Sequence, residues 1–264
     1  MTARILAMCR RYIYLNLRSV PRVIELFFWP VMELLVWGFL ARHMSALLEA
    51  GPAARVVANL LTGLIFWDIL YRTQQSISLA LMEEFWTKNL LHLMISPLRT
   101  WEWVTAAYLH GLLKTLVIVG SLAGLSFLFY GFSLTGTLGL SLLPFAANLL
   151  VMGLACGVFT TGLLLRWGHA AEALVWGVPF LIQPFSAIFY PLSAYPEALR
   201  PVCLAIPSTH VMEGMRRTLE GSFSYPHFFA ALGLNAVYLV LAAVFFARML
   251  SWARSSGRLV RLSD

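Results

Sequence analysis

The sequence predicts an all-α membrane protein with about six transmembrane helices. Three observations carry that prediction. The 264 residues are 60% hydrophobic and only 12% charged, whereas a soluble domain carries about 25% charged residues. The mean hydropathy is +0.78. Apolar runs close to the ~20 residues that cross a bilayer recur along the chain, at about 23–42, 56–78, 103–130, 137–165, 172–190 and 229–250.

The net charge of +7 does not point to nucleic acid, because the basic residues are dispersed among apolar runs and form no dense patch. They report orientation instead. Arg4, Arg10, Arg11, Arg18, Arg22, Lys88, Arg99, Arg166, Arg248, Arg254, Arg258 and Arg261 fall in the connections of one side, against Arg42, Arg55, Arg200, Arg216 and Arg217 on the other. The positive-inside rule then places both termini in the cytosol, in a multi-pass protein of a bacterial-type cytoplasmic (inner) membrane. Cys9, Cys156 and Cys203 stand apart, with no CxxC pair and no His cluster at metal spacing, and read as packing residues rather than metal ligands. Arg10, Arg11 and Arg18 interrupt the stretch where a cleavable signal would need its apolar region, so the N-terminus is expected to be retained.

Residues 1–22 read as an elbow helix lying on the membrane. Arg4, Arg11 and Arg18 repeat every seven residues on one side, Ile5, Cys9, Tyr12 and Ile13 cluster away from them, and Pro21 breaks the path into the first span. The first five spans occupy 23–190. Within them, after the second span, comes MEEFWTKNLLHLMISPLRTWEW, residues 82–103. Over 82–98 it reads as a short amphipathic helix: Trp86, Leu90, Leu93 and Met94 recur at i, i+4, i+7 and i+8, with Glu83, Glu84, Thr87 and Lys88 toward the other side. Glu84 and Lys88 stand in the favourable i, i+4 order. A helix held by anionic lipid needs a basic polar face; two acids and one lysine suit a cytosolic protein partner better. The turn from Arg166 to Glu172 offers that partner a second, smaller contact.

In the outer segment, 191–228, Pro191, Pro196, Pro201, Pro207 and Pro226 permit only short helices, re-entrant or lying on the outer surface. Glu213 with Arg217 and Arg216 with Glu220 are i, i+4 surface pairs that support the second of them. The sixth span and a basic cytosolic tail complete 229–264. Gly120/Gly124 and Gly153/Gly157, spaced i, i+4, would let helices approach closely.

Charges inside the spans are candidate sites, since each is costly there unless paired or wetted. Glu33, Asp68 and Lys114 lie about 10–12 residues from their span ends, near the midplane. Arg72 and His110 lie one turn toward the cytosol, and Glu25 is near the cytosolic rim. The group either neutralises itself and locks the helices of one subunit together or lines a proton or substrate path. The near balance of acids and bases, with no chain of carboxylates, favours the lock. Phe27, Phe28, Trp29, Trp37, Phe66, Trp67 and Tyr71 crowd the first two spans as interfacial anchors, core packing or cavity wall.

With its elbow, about six spans, cytosolic helix after the second and proline-rich outer segment, the chain resembles the membrane subunits of type-2 ABC exporters along nearly its whole length. The local motifs are Glu83-Glu84 followed by Leu90-Leu91 and Ser96-Pro97, and SAIFYPLSAYP at 186–196 followed by Pro207, Glu213 and Arg216 or Arg217. Phe85-Trp86-Thr87 stand where the family often has Gly-Thr, and Ser186-Ala187 where it often has Ser-Gly. The resemblance implies that residues 1–264 form one exporter transmembrane domain and that 82–98 is a coupling helix, with Glu83, Glu84, Trp86, Lys88, Leu90, Leu93, Ser96 and Pro97 serving the ATPase. It implies two permease copies, identical or not, around a central path. Each docks on one of two cytosolic ATP-binding subunits that hold ATP and Mg. The substrate expected is hydrophobic, lipid-like or drug-like, or a glycan. Pro191, Pro196, Pro207, Glu213 and Arg217 mark the outer segment.

The residues bear on this independently. A P-loop needs Gly immediately before its Lys, yet Lys88 follows Thr87 and Lys114 follows Leu113. There is no HExxH and no GxSxG either. The chain is therefore expected to hold no cofactor and to be no enzyme by itself. The alternative is a secondary, proton-coupled transporter that uses Glu33, Asp68 and Lys114.

Overall fold

The computed structural model describes residues 2–48 and 50–257, and the described residues contain helices and turns but no strand. Arg258 and Arg261 of the basic tail lie outside the described residues. Five stretches are long and apolar enough to cross a membrane: Val20–Ala46, Ala53–Trp86, Thr100–Tyr130, Leu134–Phe185 and Tyr225–Ser255. That is the composition of an all-α, multi-pass membrane protein.

The first helix is α1 (Thr2–Leu17), and the chain turns at Arg18-Ser19 into α2 (Val20–Ala46). The break precedes Pro21 by two residues. Pro21 sits in the first turn of α2, where the missing N–H has no intrahelical acceptor to lose. Next is α3 (Ala50–Trp86), whose 37 residues extend about 55 Å, far more than the ~30 Å hydrocarbon layer. The expected helix over 82–98 is therefore divided: residues 82–86 are the last turns of α3, and only α4 (Leu90–Ile95) is separate. The break falls at Lys88, which takes a left-handed backbone (φ 53°) that ends a helix sharply.

α5 (Thr100–Tyr130) runs straight and stops at left-handed Gly131. The fourth apolar stretch is not one rod. It divides at Gly139 and Gly168 into α6 (Leu134–Leu138), α7 (Leu142–Trp167) and α8 (Glu172–Ile182). The fifth expected span, 172–190, is thus much shorter than anticipated. Pro179 and Pro184 each remove a backbone donor, and after a single 3-10 turn at Gln183–Phe185 the chain reverses at Ala187. The outer segment forms the short α9 (Arg200–Leu204) and α10 (Pro207–Leu219), and α11 (Tyr225–Ser255) closes the bundle.

α7 occupies the centre, packed between α3 and α11. One of the two glycine pairs explains how. A Cβ on Gly153 would stand 2.6 Å from Thr73 Cβ and 2.8 Å from Leu70 O, and one on Gly157 3.0 Å from Gln74 O, so only glycine admits α3 this close. Gly120 and Gly124 have nothing within 4 Å and bring no helix near. Asn235 of α11 donates to Asn148 O (2.9 Å) and Oδ1 (3.0 Å) on α7, a buried polar bond between two apolar helices. The core divides along the bundle axis. A larger cluster around Phe66, Phe145 and Met212 lies toward α10, and a smaller one around Phe85, Leu90 and Trp103 lies toward α1 and α4.

Candidate functional site

Between α1, α2, α3, α5 and α8 lies a cavity of about 800 Å³. Trp29, Trp37, Tyr71, Trp176 and Phe180 give it an aromatic wall; Glu33, Arg72, His110 and Lys114 face the same space, and Arg22, Glu25 and Glu83 lie toward its α1 end. Four of the five residues expected at the membrane midplane or one turn below it thus meet in one cavity. Asp68 stands just behind them, almost wholly buried.

Among the described residues no ion pair within this cluster joins two helices. The ion pair within this cluster is Arg72 Nε to Asp68 Oδ1, 3.1 Å, inside α3 itself. Asp68 Oδ2 and Arg72 Nη2 have no hydrogen-bond partner among the described residues. The charges that reach Glu33 are those of Asp68 and Arg72, while Lys114 feels Arg72, Glu25 and Arg22. Glu33 and Lys114 face the cavity, bonded to no other side chain among the described residues. His110 Nε2 lies 3.4 Å from the Asn16 amide, and its ring stands 5.6 Å from that of Tyr12.

Glu83 and Glu84 turn inward, against the expectation that they meet a partner. Arg11 grips both oxygens of Glu84, with Nη2 to Oε2 at 3.0 Å. Asn89 donates to the same Oε2 at 2.7 Å, and Glu84 is fully buried. The bond to Glu84 also pushes the Arg11 guanidinium above its ordinary pKa. Arg22 holds Glu83 at 3.0 Å, and Arg4 lies 3.6 Å from Glu102. Arginines of α1 and α2 therefore bind the carboxylates of α3 and α5. A fully buried carboxylate without them would carry its whole desolvation cost.

What this end presents outward is different. Leu90 and Leu93 are buried against Phe85 and Trp103, while Trp86, Thr87, Lys88, His92, Ile95 and Pro97 are exposed and Ser96 is partly so. Trp86 Nε1 donates to Glu172 Oε1 at 3.2 Å, and His169 Nδ1 lies 2.6 Å from that same oxygen. The Arg166–Glu172 turn and the α3–α4 junction thus form one continuous surface, apolar and basic rather than acidic.

At the opposite end, Glu213 pairs with Arg216 (2.9 Å), not Arg217. Arg217 is exposed and Arg216 is buried. Arg216 also donates to Ala187 O and, at 2.9 Å, to Ile188 O, while Glu213 Oε1 accepts from Leu192 N at 2.8 Å. Burial lowers the Arg216 pKa, and Glu213 opposes that. Ala187 holds φ 52°, a left-handed backbone that costs a residue with a Cβ about 1–2 kcal/mol. Tyr195 accepts from Ala187 N (3.2 Å) and donates to Pro184 O (2.7 Å). Pro191 and Pro196 each precede a single 3-10 turn and accept from Ala194 N and Leu199 N, both at 3.0 Å, and Pro207 begins α10.

Sequence reasoning missed Gln74, which is buried and donates to Thr160 Oγ1 (3.3 Å) and Val175 O (3.1 Å), joining α3 to α7 and α8. The signal was the polar run Arg72-Thr73-Gln74-Gln75-Ser76 inside an apolar helix, which hydropathy averaging smooths away. It also missed Trp176 on the cavity wall. No protein-family model matches the chain, and no curated protein matches it either.

Proposed function

We propose that this chain is the membrane permease of an exporter driven by a separate ATP-binding subunit, working as a pair of copies around a shared path, with a hydrophobic, lipid-like or drug-like substrate. The observation that carries the reading is the 800 Å³ cavity with ionisable groups on an aromatic wall, because an intramembrane space of that chemistry serves passage better than packing. The likeness of the segment order and motifs to type-2 ABC exporters supports it, as does the lack of any P-loop in a chain with an exposed platform at the α3–α4 junction. The docking residues proposed are Trp86, Lys88, His92 and Ile95, with the Arg166–Glu172 turn beside them. Glu83 and Glu84 serve by holding the elbow.

Gentle extraction from the native membrane should bring down a subunit with a P-loop, identified by mass spectrometry. Replacing Trp86 by Ala together with Ile95 by Glu should cut its recovery at least tenfold without changing the size-exclusion profile of the permease. Failure to recover such a subunit, or full recovery with the double variant, overturns the reading. Glu33, a carboxylate facing the cavity with no bonded partner, favours a second reading, proton-coupled transport. In proteoliposomes without ATP, an imposed pH gradient would then drive transport, and Glu33→Gln would abolish it.

A further inference from the structure

We infer that the cavity receives a lipophilic organic cation, with its charge at Glu33 and its apolar body against Trp29, Trp37, Tyr71 and Phe180; this deepens the permease reading and rests on it. The charge balance around Glu33 is the first argument. Asp68 and Arg72 are bonded to each other at 3.1 Å, whereas Glu33 lines the cavity with no ion pair or hydrogen bond to another side chain among the described residues. Lys114 lines the same cavity and makes no ion pair with Glu33 among the described residues. A cation placed at Glu33 meets a carboxylate that no described side chain already pairs, in a cavity with less water than the surface, where a charge pair is worth more than it is in bulk solvent.

The wall is the second argument. Indole and phenyl faces attract cations through the ring quadrupole, and they take large flat or branched apolar groups at the same time. Trp37 is already held rigid, stacked on Phe189 at 3.9 Å, and Tyr71 lies 5.7 Å from Phe180. Trp29 is half exposed and lines the open part of the cavity. A compact, strongly hydrated cation gains little from such a wall; a large, weakly hydrated one gains from every ring.

Tetraphenylphosphonium and tetraphenylborate have the same shape and opposite charge, and so separate sign from hydrophobicity. Equilibrium binding to the chain in lipid nanodiscs, with empty discs subtracted, should show saturable tetraphenylphosphonium binding that Glu33→Gln weakens at least tenfold. Saturable tetraphenylborate binding that Lys114→Gln abolishes, or tetraphenylphosphonium binding that Glu33→Gln leaves unchanged, would overturn the inference. If Glu33→Gln does not yield a monodisperse protein, Trp29→Ala takes its place and should weaken tetraphenylphosphonium binding severalfold; no change overturns the inference. Glu33-dependent cation binding by a chain that recovers no P-loop subunit would retire the ATP-driven reading alone. An ATP-hydrolysing complex indifferent to tetraphenylphosphonium would retire the inference alone.

Discussion

At one end of the bundle Arg11 and Arg22 reach Glu84 and Glu83 across 73 and 61 residues of chain; at the other, Arg216 closes on Glu213 three residues away and on two backbone carbonyls. The first clamp joins separate helices, α1 and α2 to the end of α3, and keeps its arginines partly in water, 31% and 38% exposed. The second is nearly dry, with 10% of Arg216 exposed, and it satisfies carbonyls that the reversal at Ala187 leaves without helical partners. One device sets how elements sit against each other. The other makes an irregular backbone tolerable inside the fold, where every polar group must find a partner.

Because of that difference, removing each arginine or acid should cost unequal amounts. Arg216→Leu should be the most damaging, by about 3–5 kcal/mol, because it strands a partly buried carboxylate and two carbonyls. Its thermal unfolding in detergent should fall furthest of the set. Glu84→Gln should cost about 1–3 kcal/mol, since Asn89 can still bond the amide while Arg11 regains water. Paired with Arg11→Met in a double-mutant cycle, it should show clear coupling between residues of different helices. Arg22→Gln, at the most exposed of these pairs, should cost about 1 kcal/mol or less and respond to salt. Equal losses at Arg216 and Glu84 would erase the distinction between the two ends.

Much of the helix inventory was readable in advance, because crossing a bilayer demands about 20 apolar residues and such runs are visible one by one. The short helices over 191–228 and the Gly153/Gly157 approach were readable for the same kind of local reason. The fifth span was not. Pro179, Pro184 and the reversal at Ala187 shorten α8, and hydropathy does not register a missing backbone donor. The amphipathic pattern over 82–98 also misled. Trp86 and Leu90 are four residues apart, yet the left-handed Lys88 between them rotates one outward and buries the other.

For the site, four of the five ionisable residues named from their depth in the spans line one cavity. Their relations were not readable. Composition and the spacing of charges along single segments determined that the chain is a helical membrane protein with acids and bases at mid-depth, since both properties are local and add along the chain. Only the tertiary structure decided that Asp68 holds Arg72 while Glu33 has no bonded partner among the described residues, and that Glu84 is bonded to α1 and Glu83 to α2. A charge's partner depends on the rotation and register of helices tens of residues apart, and those are set by packing at positions such as Gly153, not by any segment's own periodicity.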